Sequence, residues 1–134
     1  MRKEVQILDF KGKWVLLDFW GLSCTPCLRK TIPELMKFYE EHRGQRDRFE
    51  ILSMCLDPDG ELNSLADMDR ALEPIVRQVW GGKTIPFPIL LDNTFKTWES
   101  FGLRGLNTVL LIDPEGNLVE GDLAVLAQKI KESM

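Results

Sequence analysis

No apolar run in this chain approaches the roughly 20 residues needed to cross a bilayer, and no block of Lys or Arg interrupts its faintly acidic composition of 17 basic and 21 acidic residues. The first absence argues against a transmembrane helix. The second removes the electrostatic footprint of a nucleic-acid binder. The opening segment, MRKEVQILDFKGKW, lacks the apolar stretch of a signal peptide. Cysteine occurs only three times, too few and an odd number for a disulfide-stapled scaffold. Repeats and low-complexity tracts are missing too. What is present is ordinary for a globular domain: 134 residues, 44% of them hydrophobic and 28% charged, enough for one core. A single domain over 1–134 is expected, and the abrupt start fits a piece of a longer, membrane-tethered or multidomain chain.

Periodicity orders the elements. Val5 to Leu8 reads as a short strand. Trp14 to Trp20 is apolar except for Asp18, the pattern of a central strand covered on both faces. From Thr25 the period becomes helical, with Leu28, Ile32, Leu35 and Tyr39 on one side. Pro33 predicts a kink, and Gly44 a stop near HRGQ. Phe49 to Leu56 is a second buried strand, closed by DPDG. A helix over Leu65 to Val79 contains Pro74 and leaves through GGK. FPILLD is a third buried strand, NTFKTWESFG a short helix and Asn107 to Ile112 a fourth strand. DPEGN turns into a returning strand over Leu118 to Glu120, and Asp122 caps a last helix carrying Leu123, Leu126 and Ile130. Early β-α alternation implies parallel crossovers and the tight DPEGN link an antiparallel pair. The predicted fold is α/β, a mixed sheet with helices on both faces.

Chemistry concentrates in LLDFWGLSCTPCLRK. Cys24 falls where a central strand ends and a helix begins, so free N–H groups and the helix dipole favour its thiolate. Cys27 lies one turn further in, within disulfide reach, and Pro26 occupies the first turn, where a missing N–H costs little. A reversible disulfide results: Cys24 attacks and Cys27 resolves. Two buried thiols without a role are one alternative. A Cys₃His zinc site with Cys55 and His42 is another, opposed by distance: along a continuous helix His42 would lie about 22 Å from Cys27, against a Zn–ligand bond of about 2 Å. His42 reads instead as a polar residue at a helix C-terminus, and Cys55 as a small core residue or a regulatory third thiol. Neither metal nor cofactor is expected. Asp18, six residues before Cys24, is costly as a buried anion, so a raised pKa and a role as proton acceptor for Cys27 are expected. The alternative is a carboxylate reaching solvent at the sheet edge.

The stretch GKWVLLDFWGLSCTPCLRKTIPEL, with FPILLD and FGLRG…LLIDPEGNLV, resembles the thioredoxin superfamily, in particular the TlpA/ResA-type thiol:disulfide oxidoreductases of the bacterial cell envelope, an AhpC/TSA-related thioredoxin-like domain. Gly12-Lys13, Phe19-Trp20, the Cys-x-Pro-Cys and Pro33 carry the match, which covers nearly the whole chain. The resemblance implies a thioredoxin fold with a helical insertion before FPILLD, Cys24 as nucleophile, Cys27 as resolving thiol and Trp20 packed beside the active-site loop. It implies a cell-envelope location, protein disulfide or dithiol substrates and an upstream thiol electron donor; no nucleic acid partner is expected, and a monomer is.

Three departures stand out. Ser23 occupies a position usually aromatic, and the segment DPDGELNSLADMDRALEPIVRQVWGGKTIPF is longer than thioredoxin's equivalent. Asn107 stands where the family has a cis-proline facing the active site. A cis bond before Asn would cost about 2.5–4 kcal/mol, against about 0.5–1 before Pro, so the Leu106–Asn107 bond is either trans with a moved loop or cis and strained. Trp20, Ser23, Pro26, Leu106 and Asn107 form the predicted docking surface, where a substrate backbone could pair by strand addition. Trp14, Trp80 and Trp98 are read as packing residues. The leading function is disulfide exchange, as a reductant. A redox-inactive binding module is the alternative that Asn107 suggests. A peroxidase is disfavoured because Leu17 and Gly21 hold the positions where peroxiredoxins need Pro and Thr or Ser.

Overall fold

The computed structural model describes residues 10–57, 60–92 and 96–132. Among the described residues five strands, β1 (Trp14–Trp20), β2 (Phe49–Leu56), β3 (Ile89–Asp92), β4 (Thr108–Ile112) and β5 (Leu118–Val119), form one sheet in the order β3-β2-β1-β4-β5. β1 runs parallel to β2, and β2 to β3; β4 is antiparallel to both β1 and β5. The expected switch from parallel to antiparallel pairing is present. The strand expected at Val5–Leu8, part of the DPDG turn and the start of the NTFKTWESFG helix lie outside the described residues.

Alternation along β1 sorts the core into two layers. Leu16 and Trp20 pack with Leu35 of α1 (Ile32–Glu41), Leu72 of α2 (Leu65–Gln78) and Leu126 and Ile130 of α4 (Leu123–Glu132). Val15, Leu17 and Phe19 face the other way, against Leu103 and Phe101, the latter from α3 (Lys96–Phe101). Helices therefore cover both faces. Asp18 lies on the Leu16–Trp20 side, the one that carries α1.

Caps fix the helix ends. Ser64 accepts the Asp67 N–H at 3.1 Å while Asp67 reaches back to the Asn63 N–H at 3.1 Å, and Asp122 accepts the Val125 N–H at 3.2 Å. Two expectations are corrected. The helix after the thiols runs unbroken from Thr25 to Glu41 but is not α-helical throughout: Cys27–Thr31 is a π turn, with the Ile32 N–H bonded to the Cys27 carbonyl, and α1 begins at Ile32. Pro33 has no N–H and its ring crowds the carbonyl four residues back, and the wider turn absorbs both defects. Gly44 is not the stop either. His42 ends α1, its ring bonded to the Phe38 carbonyl at 2.9 Å and stacked on the Phe38 ring, and Gly44 sits inside a following 3₁₀ turn, Arg43–Gln45.

Candidate active site

The exit of β1 makes the site. Gly21 follows Trp20 without a side chain, and a Cβ there would stand 2.9 Å from Leu106 Cδ1 and 3.0 Å from the Leu56 carbonyl. Leu106 is thereby seated over the strand end, next to the thiol loop. The Cys24 N–H bonds back to the Gly21 carbonyl at 3.0 Å, and the Leu28 N–H closes the first helical turn onto the Cys24 carbonyl at 3.2 Å.

Cys24 and Cys27 are joined as a disulfide with Cα atoms 5.3 Å apart. Cys27 is wholly buried and Cys24 half-buried, so of the two residues only Cys24 has surface open to solvent. The Cys27 N–H points at Cys24 Sγ from 3.3 Å. When Cys24 is a thiolate, that amide and the dipole behind it stabilise the charge. Ser23 and Pro26 are exposed around the pair.

Asp18 has no accessible surface, and neither carboxylate oxygen has a hydrogen-bond partner. Burial pushes its pKa up to about 7. The sheet-edge alternative is thus overturned by the strand order, which places β1 in the middle with β2 and β4 on its flanks. Trp20 does not reach the surface as the docking reading supposed. It is fully enclosed, and its indole N–H donates to Ser53 Oγ at 2.5 Å, so it supports the loop from below. Cys55 pairs in register with Trp20 and is buried. Burial, with the Asp57 charge adding to it, pushes that thiol up to about 12, so it is neutral and unreactive at ordinary pH.

Asn107 lies just before β4 rather than in it. There is no cis peptide bond among the described residues, and Asn107 has a positive φ of 66°. The bond from Leu106 is trans, and the turn is made by a left-handed residue, a conformation Asn tolerates better than most. Its N–H donates to the Phe19 carbonyl at 2.9 Å, and its Oδ1 accepts the Thr31 hydroxyl at 2.6 Å. The loop opposite the thiols is therefore tied to β1 by one bond and to the thiol helix by the other. Asn107→Pro should destabilise the fold by about 2 kcal/mol, since proline demands a negative φ and cannot make the Phe19 bond. Asn107→Gly should keep the backbone and lose only the Thr31 contact. Denaturant midpoints of the two variants check the order.

Trp80, read from sequence as a packing residue, donates its indole N–H to the Leu28 carbonyl inside the thiol helix at 2.7 Å. Pro33 was the only available sign that a carbonyl there would need an outside donor. A groove of about 930 Å³ runs along the flank of α1 beside Trp80, lined by Pro33, Met36 and Pro86 among others. It includes neither thiol.

The AhpC/TSA family profile matches residues 2–120. The chain is 32% identical over 132 residues to the thiol-disulfide oxidoreductase ResA of Bacillus thuringiensis (strain Al Hakam), covering 98% of this chain and 65% of that protein. It spans a little under two thirds of the length of these curated relatives. Among solved structures, the thioredoxin domain of a thiol-disulfide oxidoreductase from Bacteroides vulgatus superposes with a TM-score of 0.68 at 28% identity, over 96% of this chain and 84% of that one. StoA from Bacillus subtilis shares the fold, with a TM-score of 0.64 at 19% identity over 92% of this chain and 84% of that one.

Proposed function

This chain belongs to the AhpC/TSA family, and from that membership and the thiol geometry we propose that it is a thiol:disulfide oxidoreductase acting on protein substrates, as a reductant. The observation that carries the reading is the asymmetry of the pair: Cys24 half-exposed with an amide aimed at its sulfur, Cys27 buried behind it. In the reduced protein, the Cys24 thiolate attacks one sulfur of a substrate disulfide. A mixed disulfide forms, and the other substrate sulfur leaves as a thiolate. Cys27 gives its proton to the Asp18 carboxylate and attacks Cys24 Sγ. The Cys24–Cys27 disulfide closes, the second substrate thiolate departs, and two electrons have passed from protein to substrate. An acceptor with a pKa of about 7 suits that proton transfer near neutrality.

Ser23, Pro26, Leu106 and Asn107 form the surface on which the substrate backbone lies, and Trp20 supports it from beneath. An upstream thiol donor restores the dithiol. A location on the outer side of the cell membrane follows from the resemblance; no described helix is long and apolar enough to cross a membrane. A redox titration against dithiothreitol and glutathione, read by alkylation mass shift, should show one reversible two-electron transition of Cys24 and Cys27. A pair locked in either state, or reaction at Cys55 alone, would turn the reading to a binding module.

A further inference from the structure

The π turn creates a gap in the thiol helix. The Leu28 carbonyl can look to two amides in the next turn, those of residues 32 and 33. Ile32 gives its N–H to Cys27 instead, and Pro33 has none to give. A buried carbonyl without a donor is costly. The donor arrives from 52 residues away: the Trp80 indole N–H, 2.7 Å from the Leu28 oxygen, both groups buried. Trp80 is delivered there by the end of α2, where its own N–H returns to the Ile75 carbonyl at 3.0 Å. Gly81 and Gly82, at φ of 61° and 85°, then turn the chain away.

We propose that Trp80 is a positioning residue for the redox couple, holding the turn that carries both thiols by replacing the hydrogen bond that Pro33 removes. The turn in question spans Cys24 to Leu28, and its amides include the Cys27 N–H aimed at Cys24 Sγ. With the Leu28 carbonyl anchored, that amide keeps its aim. Without the anchor the carbonyl swings towards water and the amide turns from the sulfur. The Cys24 thiolate then loses stabilisation, its pKa rises, and the dithiol becomes the better reductant, because a stabilised thiolate favours the reduced form.

The inference rests on the reading of Cys24–Cys27 as a working couple, and a double-mutant cycle separates the two. Trp80→Phe keeps the ring and removes the donor. It should raise the Cys24 pKa, read by thiolate absorbance, and shift the equilibrium constant with glutathione about tenfold towards the disulfide, about 30 mV. Pro33→Ala restores an amide to the helix, so in that background the Trp80→Phe shift should shrink to about twofold or less. If Trp80→Phe alone does not fold, Pro33→Ala must rescue it. An unmoved pKa and potential in Trp80→Phe, an equal shift in both backgrounds, or failure of rescue would each overturn the proposal. A wild-type pair that does not cycle sinks both readings; a cycling wild type with an unmoved variant sinks this one alone.

Discussion

Cys24→Ser should bring disulfide exchange down to background, while Cys27→Ser should stop it halfway, with substrate caught on Cys24. The difference follows from burial. In the proposed exchange Cys24 is the sulfur that meets the substrate, and Cys55 does not stand in for it, being enclosed and held neutral by a pKa of about 12. Cys27 has no accessible surface, so its loss leaves the first attack intact and removes only the resolving step. Mass spectrometry of each variant after exposure to a disulfide-containing peptide distinguishes them. Cys27→Ser should carry one peptide and Cys24→Ser none. A peptide on Cys27 in the Cys24→Ser protein would reverse the assigned roles.

Asp18→Asn should stabilise the protein and slow it. In the unfolded chain the carboxyl has its ordinary pKa of 3.8, and in the fold about 7. Between those values the folded state holds a proton that the unfolded state has released. Stability therefore falls as pH rises from about 4 to about 7, and stays low above that. The full penalty is roughly 4 kcal/mol, from about 1.36 kcal/mol per unit. Asparagine carries no charge, so the variant should recover up to that amount at pH 8 and none at pH 3. Denaturant midpoints across pH give the comparison, and a parallel pair of curves would remove the buried anion from the account. The resolving step should meanwhile slow by about 10²-fold, since a general base is lost, and the limb of the rate profile near pH 7 should vanish.

The parts of this molecule that were legible in the sequence are those written in local pattern. β1 ended at Trp20 as its apolar run did, the β2 bounds Phe49–Leu56 matched, and Asp122 capped α4. The Cys-x-Pro-Cys spacing and the strand before it pointed to the thiol pair that the fold joins at the exit of β1. The features that escaped depend on pairings across the fold. Pro33 announced a disturbance, but whether the helix would kink at that residue or widen one turn earlier depends on what stands ready to satisfy the freed carbonyl, and that group is Trp80, 52 residues on. Trp20 was placed beside the thiol loop and in the docking groove, and only the first of these holds. Its enclosure comes from β2, which places Ser53 and Cys55 beside it. Asn107 could be aligned with a proline but not given a conformation, because its left-handed φ is held by bonds to Phe19 and Thr31, on β1 and the thiol helix.

The strand order also bears on how the chain reaches this state. β1 carries the thiols at its exit but is hemmed in by β4, from the far end of the sequence, with Val15 opposite Ile112. Such long-range pairing forms late, so during synthesis Cys24, Cys27 and Cys55 coexist in a chain that has no finished site. Pairing then follows loop closure. Cys24 and Cys27 are three residues apart, whereas a bridge from either to Cys55 closes a far longer loop, which removes more chain entropy. Loop length therefore favours the Cys24–Cys27 pairing over either bridge to Cys55. Once β1 and β2 have paired, Cys55 is enclosed opposite Trp20 and withdrawn from exchange with either thiol.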